Sequence, residues 1–143
     1  MGWKVVVGWG TYSAAAAEVM DKFGEMRLGV LVERAEVADN FLDSATRLGA
    51  TTVGWASALK EDDLIGTLEI GRRADVVAVD LSGSHQTPTT DPVSAVVNTC
   101  NGTDVLMTMV EGKVLYEKSH WNVDVDVART IARVIEIRGK LRA

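Results

Sequence analysis

The sequence predicts a single α/β or α+β domain in which a small, mainly antiparallel sheet packs against helices on one side. Residues 76–79 form an apolar run rich in β-branched valine between two aspartates, which is typical of a strand. Residues 105–110 and 113–116 are short apolar runs joined by a Glu-Gly pair, which favours a hairpin with a tight turn. Residues 125–141 carry apolar side chains at helical spacing among charges, which predicts an amphipathic helix.

Length and composition fit one ordinary globular domain, since the chain has 143 residues, of which 47% are hydrophobic and 24% charged. A net charge of −5 and the absence of a basic cluster interleaved with aromatics argue against nucleic acid as a partner. The single cysteine, Cys100, has no internal disulfide partner, which favours a reducing cytoplasm. No apolar stretch has the length of a membrane span, so we expect a soluble protein without a membrane partner.

The first sixty residues are predicted to be mostly helical. Residues 4–7 favour a strand, and the glycine-containing segment after them favours a turn that ends in a helix N-cap at Thr11 or Ser13. Gly24 and Gly29 weaken the apolar-periodic stretch that follows, because glycine lowers helix stability unless something packs closely against it. The predicted helices are residues 14–34, residues 40–48 with Gly49 as the stop, and residues 51–59.

Residues 65–81 are the most informative stretch of the chain. Gly66 and Gly71 permit backbone angles that other residues resist, so the four residues after Gly66 are predicted to be a short strand between two bends. The valine-rich run is predicted to be the central strand, covered on both faces, with Val77 or Val79 buried. The expected sheet contains the strands of Leu68, Val76, Val105 and Val114.

The stretch after the central strand predicts a connection and a short helix. Residues 82–92 are rich in Ser, Thr, Gly and Pro, which is typical of a surface loop. Asp91 is placed to cap a helix that begins at Pro92 and runs towards Cys100. Asn101-Gly102 then marks a turn before the hairpin.

Most of the residues that could carry chemistry have a structural interpretation. We expect Asp75 to cap a turn or to pair with Arg72 or Arg73, and we expect the two arginines to lie on a solvated turn. Cys100 has no neighbouring base in the sequence, which favours a small buried residue over a nucleophile. The four tryptophans either line a ligand pocket or cover apolar surface, and the sequence favours neither alternative; they are Trp3, Trp9, Trp55 and Trp121.

Four segments follow one another in a characteristic order. Residues 65–80 have the pattern Ile-Gly-x-Leu-x-x-Gly-x-x-Ala-Asp, an apolar run and a final Asp. Residues 23–27 read Phe-Gly-Glu-Met-Arg, residues 91–93 read Asp-Pro-Val, and residues 101–105 read Asn-Gly-x-Asp-Val. Together these segments resemble the C-terminal part of metal-dependent amidohydrolases, in the branch of deaminases and dechlorinases of aminated heterocycles. In that family the first pattern leads from a barrel into a small β-sandwich.

The resemblance implies that residues 1–60 are a remnant of the end of the barrel with its following helices, and that residues 61–143 are the small sheet with a C-terminal helix. Counting back from Phe23 places residues 10–13 on the family's Gly-Thr-Asp-Gly motif at the end of the last barrel strand. Tyr12 therefore stands where the family carries a metal-binding, proton-transferring aspartate. A phenol with a pKa of about 10 is a poor general base at neutral pH and cannot replace that carboxylate.

The family's metal-binding histidines and catalytic glutamate lie upstream of the segments that match here. The chain has two histidines, His85 and His120, and neither has the spacing of a ligand pair. We therefore assign no catalytic residue, no metal ligand and no cofactor, and we expect a truncated pseudoenzyme.

Three functional hypotheses follow from the sequence. The first is a non-catalytic, amidohydrolase-derived module that forms homo-oligomers and binds a partner or a small molecule, because a remnant strand and helix expose apolar surface. The second is a part of a metal-dependent hydrolase acting on C–N bonds of heterocycles, completed by another chain. The third is a new activity at an oligomer interface, for which the sequence offers no nucleophile and base.

Overall fold

The computed structural model describes residues 7–11, 19–36, 42–88 and 90–141. These residues form α-helices and one four-stranded antiparallel sheet, which confirms the predicted α+β class. The elements in chain order are α1 (Lys22–Glu36), α2 (Ser44–Thr51), α3 (Val53–Leu59), β1 (Val76–Val79), a 3₁₀ turn (Ser84–Gln86), α4 (Pro92–Asn98), a second 3₁₀ turn (Gly102–Asp104), β2 (Val105–Val110), β3 (Lys113–Glu117), β4 (His120–Trp121) and α5 (Val127–Leu141).

The sheet has the strand order β1-β2-β3-β4, with every pair antiparallel. The predicted hairpin is confirmed, because Glu111 and Gly112 connect β2 and β3 with φ angles of 50° and 76°. The prediction that β1 is central and covered on both faces is wrong. β1 is an edge strand of the described sheet, and the Val77 side chain is 53% exposed, while Val79 is half-buried.

The predicted strand after Gly66 is also wrong, since none of residues 67–70 belongs to a strand and the segment ends in a turn. The two glycines do adopt positive φ, 97° at Gly66 and 91° at Gly71, as expected. The backbone N–H of Arg73 donates to the carbonyl of Leu64 at 2.8 Å, which closes this segment into a loop. The fourth strand of the sheet is instead β4, which pairs with β3. The centre of the Trp121 ring lies 5.0 Å from that of the Tyr116 ring.

Aspartate side chains cap four of the five α-helices in the described residues; α3 has no side-chain cap. α1 begins at Lys22, where the Asp21 carboxylate accepts a hydrogen bond from the N–H of Phe23; the predicted start at residue 14 and the predicted strand residues 4–6 lie outside the described residues. Residues 19 and 20, predicted to be helical, precede Lys22 and are exposed. Asp91 caps α4 as predicted, because its carboxylate accepts hydrogen bonds from the N–H groups of Val93 and Ser94.

The second helix differs from its prediction at both ends. α2 begins at Ser44 because the Asp43 side chain accepts a hydrogen bond from the N–H of Thr46 at 2.7 Å; the predicted start at residue 40 lies outside the described residues. Gly49 does not stop the helix, which continues to Thr51. The further helical segment predicted after it is confirmed as α3.

The last helix, α5, is confirmed with a start two residues later than predicted. The Asp126 carboxylate accepts a hydrogen bond from the N–H of Arg129 at 2.9 Å, which fixes that start. No helix in the described parts of the chain has both the length and the apolar character needed to cross a membrane.

The core lies where α1, α2 and α4 pack together. Met26 and Val30 of α1 and Val97 of α4 are buried and form its centre, and Trp9, Phe23, Leu48 and Val96 surround them. The guanidinium of Arg27 donates to the carbonyl of Cys100, which ties α1 to the end of α4. The core therefore joins residues from both parts of the chain that the sequence distinguished.

Candidate functional site

Residues 7–11, here called the strand end because Gly10 and Thr11 begin the segment that resembles the family's Gly-Thr-Asp-Gly motif, run against α2 and α3. The N–H of Trp9 donates to the carbonyl of Ala50 at 3.1 Å. Side-chain atoms added at Gly8 and Gly10 would lie only 3.0 and 3.2 Å from Trp55. Glycine is thus favoured at both positions, because a side chain at either would force Trp55 to shift by a few tenths of an ångström.

The Trp9 side chain also packs closely against α1, at Gly29. A Cβ added to Gly29 would overlap the Trp9 ring. Gly29, which weakens the helical pattern, therefore has a close neighbour, and it lets the six-membered ring of Trp9 lie against the helix.

Lys22 joins the strand end to both tryptophans. Its Nζ donates to the carbonyl of Trp9 at 2.6 Å and lies 5.1 Å from the centre of the Trp55 ring, a cation–π geometry. Burial lowers the pKa of the Lys22 ammonium, against the opposing effect of the Glu25 carboxylate. The sequence analysis did not single out Lys22, and only its place directly after a helix-capping aspartate could have drawn attention to it.

An open groove of about 550 Å³, here called the strand-end groove, lies beside this cluster. Its apolar wall includes Trp9, Leu28, Val32 and Leu42, and Glu25 and Glu33 also line it. Trp9 therefore both covers α1 and lines a groove, whereas Trp55 is 40% exposed beneath Lys22. Trp121 lies on the sheet, and Trp3 falls outside the described residues.

Glu33 is held in its charged form at the edge of this groove. Its carboxylate accepts a hydrogen bond from the N–H of Leu42 at 2.8 Å and forms an ion pair with the buried guanidinium of Arg47. The Leu42 hydrogen bond, followed by that from Arg47, lowers the pKa of Glu33. The two side chains are 14 residues apart in the sequence, and no motif indicated their pairing.

The described residues do not fit a catalytic metal. They contain no group of three or more His, Cys, Asp or Glu side chains that could hold an ion. His85 pairs with Asp104, Nε2 to Oδ2 at 3.1 Å, and His120 lies exposed on β4. Tyr12, which takes the family's aspartate position, lies outside the described residues.

The other candidate residues have structural partners. The Asp75 carboxylate accepts a hydrogen bond from the N–H of Glu111 at 2.7 Å and so supports the hairpin turn. Arg72 pairs with Glu69, and Arg73 pairs with Glu111. Cys100 is fully buried, and burial raises the pKa of its thiol, which disfavours the thiolate that a nucleophile needs.

The sequence is similar to a family of hydrolases. The model of the amidohydrolase family matches residues 2–115. A 5-methylthioadenosine/S-adenosylhomocysteine deaminase from Caldanaerobacter subterraneus subsp. tengcongensis is 33% identical over 129 residues, which are 90% of this chain and 30% of that enzyme. A deaminase of the same name from Haloarcula marismortui is 35% identical over 112 residues, 78% of this chain and 26% of that protein. The chain thus spans about 30% of the length of these curated relatives.

Solved structures of related hydrolases contain a part that superposes on this chain. An adenosine deaminase from Xanthomonas campestris, with bound zinc, superposes with a TM-score of 0.89 at 32% identity over 96% of this chain and 31% of that one. An atrazine chlorohydrolase from Arthrobacter aurescens TC1, complexed with zinc, gives a TM-score of 0.80 at 28% identity over 92% of this chain and 29% of that one. Nearly all of the chain therefore corresponds to a continuous fold within larger hydrolase structures.

Proposed function

Because this chain belongs to the amidohydrolase family, we propose that it forms the C-terminal part of a hydrolase that acts on a C–N bond of an aminated heterocycle. The remaining barrel, in the same polypeptide or in a second chain, would supply the metal site. The names of the relatives support a substrate of the 5-methylthioadenosine or S-adenosylhomocysteine class. By itself, the chain is then a non-catalytic module.

The observation that carries this proposal is the apolar face of α1 that the described residues leave exposed. Met26 and Val30 are 2% exposed on one side of the helix, whereas Leu28, Leu31 and Val32 are 53–57% exposed on the other. A helix with apolar side chains on two opposite sides is typical of one that packs on both sides. The second side of α1 therefore requires a covering protein surface, which the remainder of a barrel would provide.

In this arrangement the chain acts as a scaffold for the end of the last barrel strand. Lys22 fixes the carbonyl of Trp9, and Gly29 lets the Trp9 ring lie on α1. Both contacts hold residues 8–11 in one position relative to the helix. Since the described residues do not fit a metal site, we assign them no proton-transfer step.

Complementation tests the proposal. The chain is co-expressed with the part of the Caldanaerobacter deaminase that precedes the matched segment, and a tag on one polypeptide is used to purify both. We expect a one-to-one complex with the wild-type chain, and deamination of 5-methylthioadenosine once Tyr12→Asp restores the carboxylate that the family carries at that position. Leu28→Lys should abolish the complex, whereas Lys118→Ala, in the β3–β4 turn, should not. Failure of the wild-type chain to bind the complementary polypeptide would contradict the proposal.

A homo-oligomeric binding module is the second candidate, and the strand-end groove favours it. The same apolar face of α1 would then be covered by another copy of this chain, and the groove beside Trp9 would take a small apolar molecule. Size-exclusion chromatography separates the two candidates: a monomer at micromolar concentration rules out this one, and a stable dimer supports it.

A further inference from the structure

The last helix, α5, carries an apolar stripe that the described part of the chain leaves uncovered. Every residue of this helix is exposed, including Ile131, Val134 and Ile135 at 55%, 59% and 64%. At 100° per residue these side chains share one side of the helix with Val127 and Leu141. Among the described residues, no helix or strand packs substantially against α5.

The opposite side of α5 is basic, with Arg129, Arg133 and Lys140 together with the single acidic residue Glu136. Arg138 lies within the apolar stripe by the same spacing, and with it the helix has four basic residues and one acidic residue, a net charge of +3. Since the whole chain carries −5, the residues outside α5 carry −8. The helix is therefore a positive segment on a negative protein.

This charge distribution distinguishes three surfaces that could cover the stripe: a second copy of α5, an anionic membrane and an apolar groove on a partner protein. Two α5 helices from two copies would bring like charges together, which opposes their pairing. An anionic membrane would attract α5 but repel the remainder of the chain. An apolar groove flanked by carboxylates would bury the apolar stripe and pair with the basic side of the helix.

The comparisons indicate that α5 has a counterpart in a larger hydrolase structure. The Xanthomonas structure superposes on 96% of this chain, so at most about six residues of the 143 fall outside the superposition. Most of the 15 residues of α5 therefore have a counterpart in that structure, which is about three times as long as the superposed part. The family model, in contrast, ends at residue 115, before α5.

We infer that α5 docks its apolar stripe into an acidic-flanked groove on the polypeptide that completes the barrel, and so acts as a second attachment point in addition to α1. This inference rests on the proposed function. The basic side of the helix lies along the rim of the groove, where its arginines face carboxylates. Such pairs set the orientation of the helix and speed its association more than they add to affinity.

The test uses the complementation pair described above and two matched variants of α5. Ile131→Lys places a charge in the apolar stripe, and Ala132→Lys places the same charge on the neighbouring residue, outside it. Both positions are exposed, so both variants should fold like the wild type, as far-UV circular dichroism would show. We expect Ile131→Lys to raise the Kd for the complementary polypeptide about tenfold or more, and Ala132→Lys to leave it unchanged.

Limited trypsin digestion gives an independent readout, because α5 contains four trypsin sites. These sites should be cut rapidly in the isolated chain and protected in the complex. Equal affinity of the two variants, together with unprotected α5 in the complex, would overturn the inference while leaving the proposed function intact. Absence of any complex with the wild type would overturn both. A dimer of the isolated chain that Ile131→Lys dissociates, or binding of α5 to phosphatidylserine vesicles, would assign the stripe to another occupant and overturn the inference.

Discussion

Glycine sets the closeness of approach between the strand end and the helices. Gly8 and Gly10 let residues 7–11 lie on Trp55, and Gly29 lets the Trp9 ring lie on α1. The Gly24 position in the same helix is different, since a Cβ added there would lie 3.5 Å from the Asp21 carboxylate, an ordinary van der Waals distance. A side chain at position 29 of α1 would therefore overlap Trp9, whereas a side chain at position 24 has room.

We predict that Gly29→Ala destabilises the chain by about 1–3 kcal/mol despite its better helix propensity, because the new methyl group overlaps Trp9. Gly24→Ala is the matched control and should stabilise the chain by about 0.5–1 kcal/mol, since alanine favours the helix and meets no obstacle. Urea unfolding of the two variants measures both effects. Equal stabilisation by the two substitutions would show that Trp9 does not pack on α1.

Local sequence patterns predicted the residues whose partners are near in the chain. The cap of α4 by Asp91 follows from an Asp-Pro pair, and the hairpin follows from Glu111-Gly112, since both depend on backbone groups within a few residues. Lys22 and the Glu33–Arg47 pair were not predicted, because their partners lie 13 and 14 residues away. Nothing in a single sequence marks which distant groups will meet.

At the scale of whole elements, the strands of the sheet were also hard to predict, because a strand depends on a partner that can be distant in the sequence. The alternation of residues 67–70 is compatible with a strand, but a strand needs a partner, and the hydrogen bond from Arg73 to Leu64 closes this segment into a loop instead. β4 has only two residues, too few for a periodic signal. Elements with a strong local sequence pattern, such as the hairpin, could be predicted. The order of the strands could not, because it depends on backbone pairing between distant segments.

The contact between α1 and the start of α2 depends on the charge of Glu33. The N–H of Leu42 and the Arg47 guanidinium lower its pKa below the usual 4.5. A carboxylate with a lowered pKa in the folded state stabilises the fold above its unfolded pKa, and this contribution is lost as pH falls through the folded value. Glu33→Gln should therefore lower the urea midpoint at pH 7 and match the wild type once Glu33 itself is protonated.

Glu69→Gln is the control for this pH dependence. Its ion pair with Arg72 lies at the surface, with the Glu69 side chain 60% exposed, and exposed pairs of this kind contribute little to stability. The urea midpoint of this variant should follow that of the wild type at both ends of the pH range. A Glu33→Gln midpoint that stays equally far below the wild type from pH 7 to acid would mean that loss of packing, and not of charge, explains the effect.

At the scale of the molecule, the described residues divide their apolar side chains between a small core and two exposed faces. The core is centred on Met26, Val30 and Val97, while the outer face of α1 and the stripe of α5 remain exposed. Stability of the isolated chain and its association with a partner should thus depend on different residues. A ligand that binds only the folded state adds to stability by mass action, by about 2.7 kcal/mol at a concentration of 100 times its Kd.

Two valines of α1 separate these two roles. Val30 is 2% exposed and Val32 is 53% exposed, so the same substitution tests the core and the uncovered face. Val30→Ala should lower the free energy of unfolding of the isolated chain by about 2 kcal/mol, since it removes buried methyl groups and leaves a cavity. Val32→Ala should change it by less than about 0.5 kcal/mol, yet weaken binding to the complementary barrel polypeptide. Thermal unfolding with and without that polypeptide measures both quantities, and a Val32→Ala chain that gains as much stability from the partner as the wild type would show that the outer face of α1 is not the joining surface.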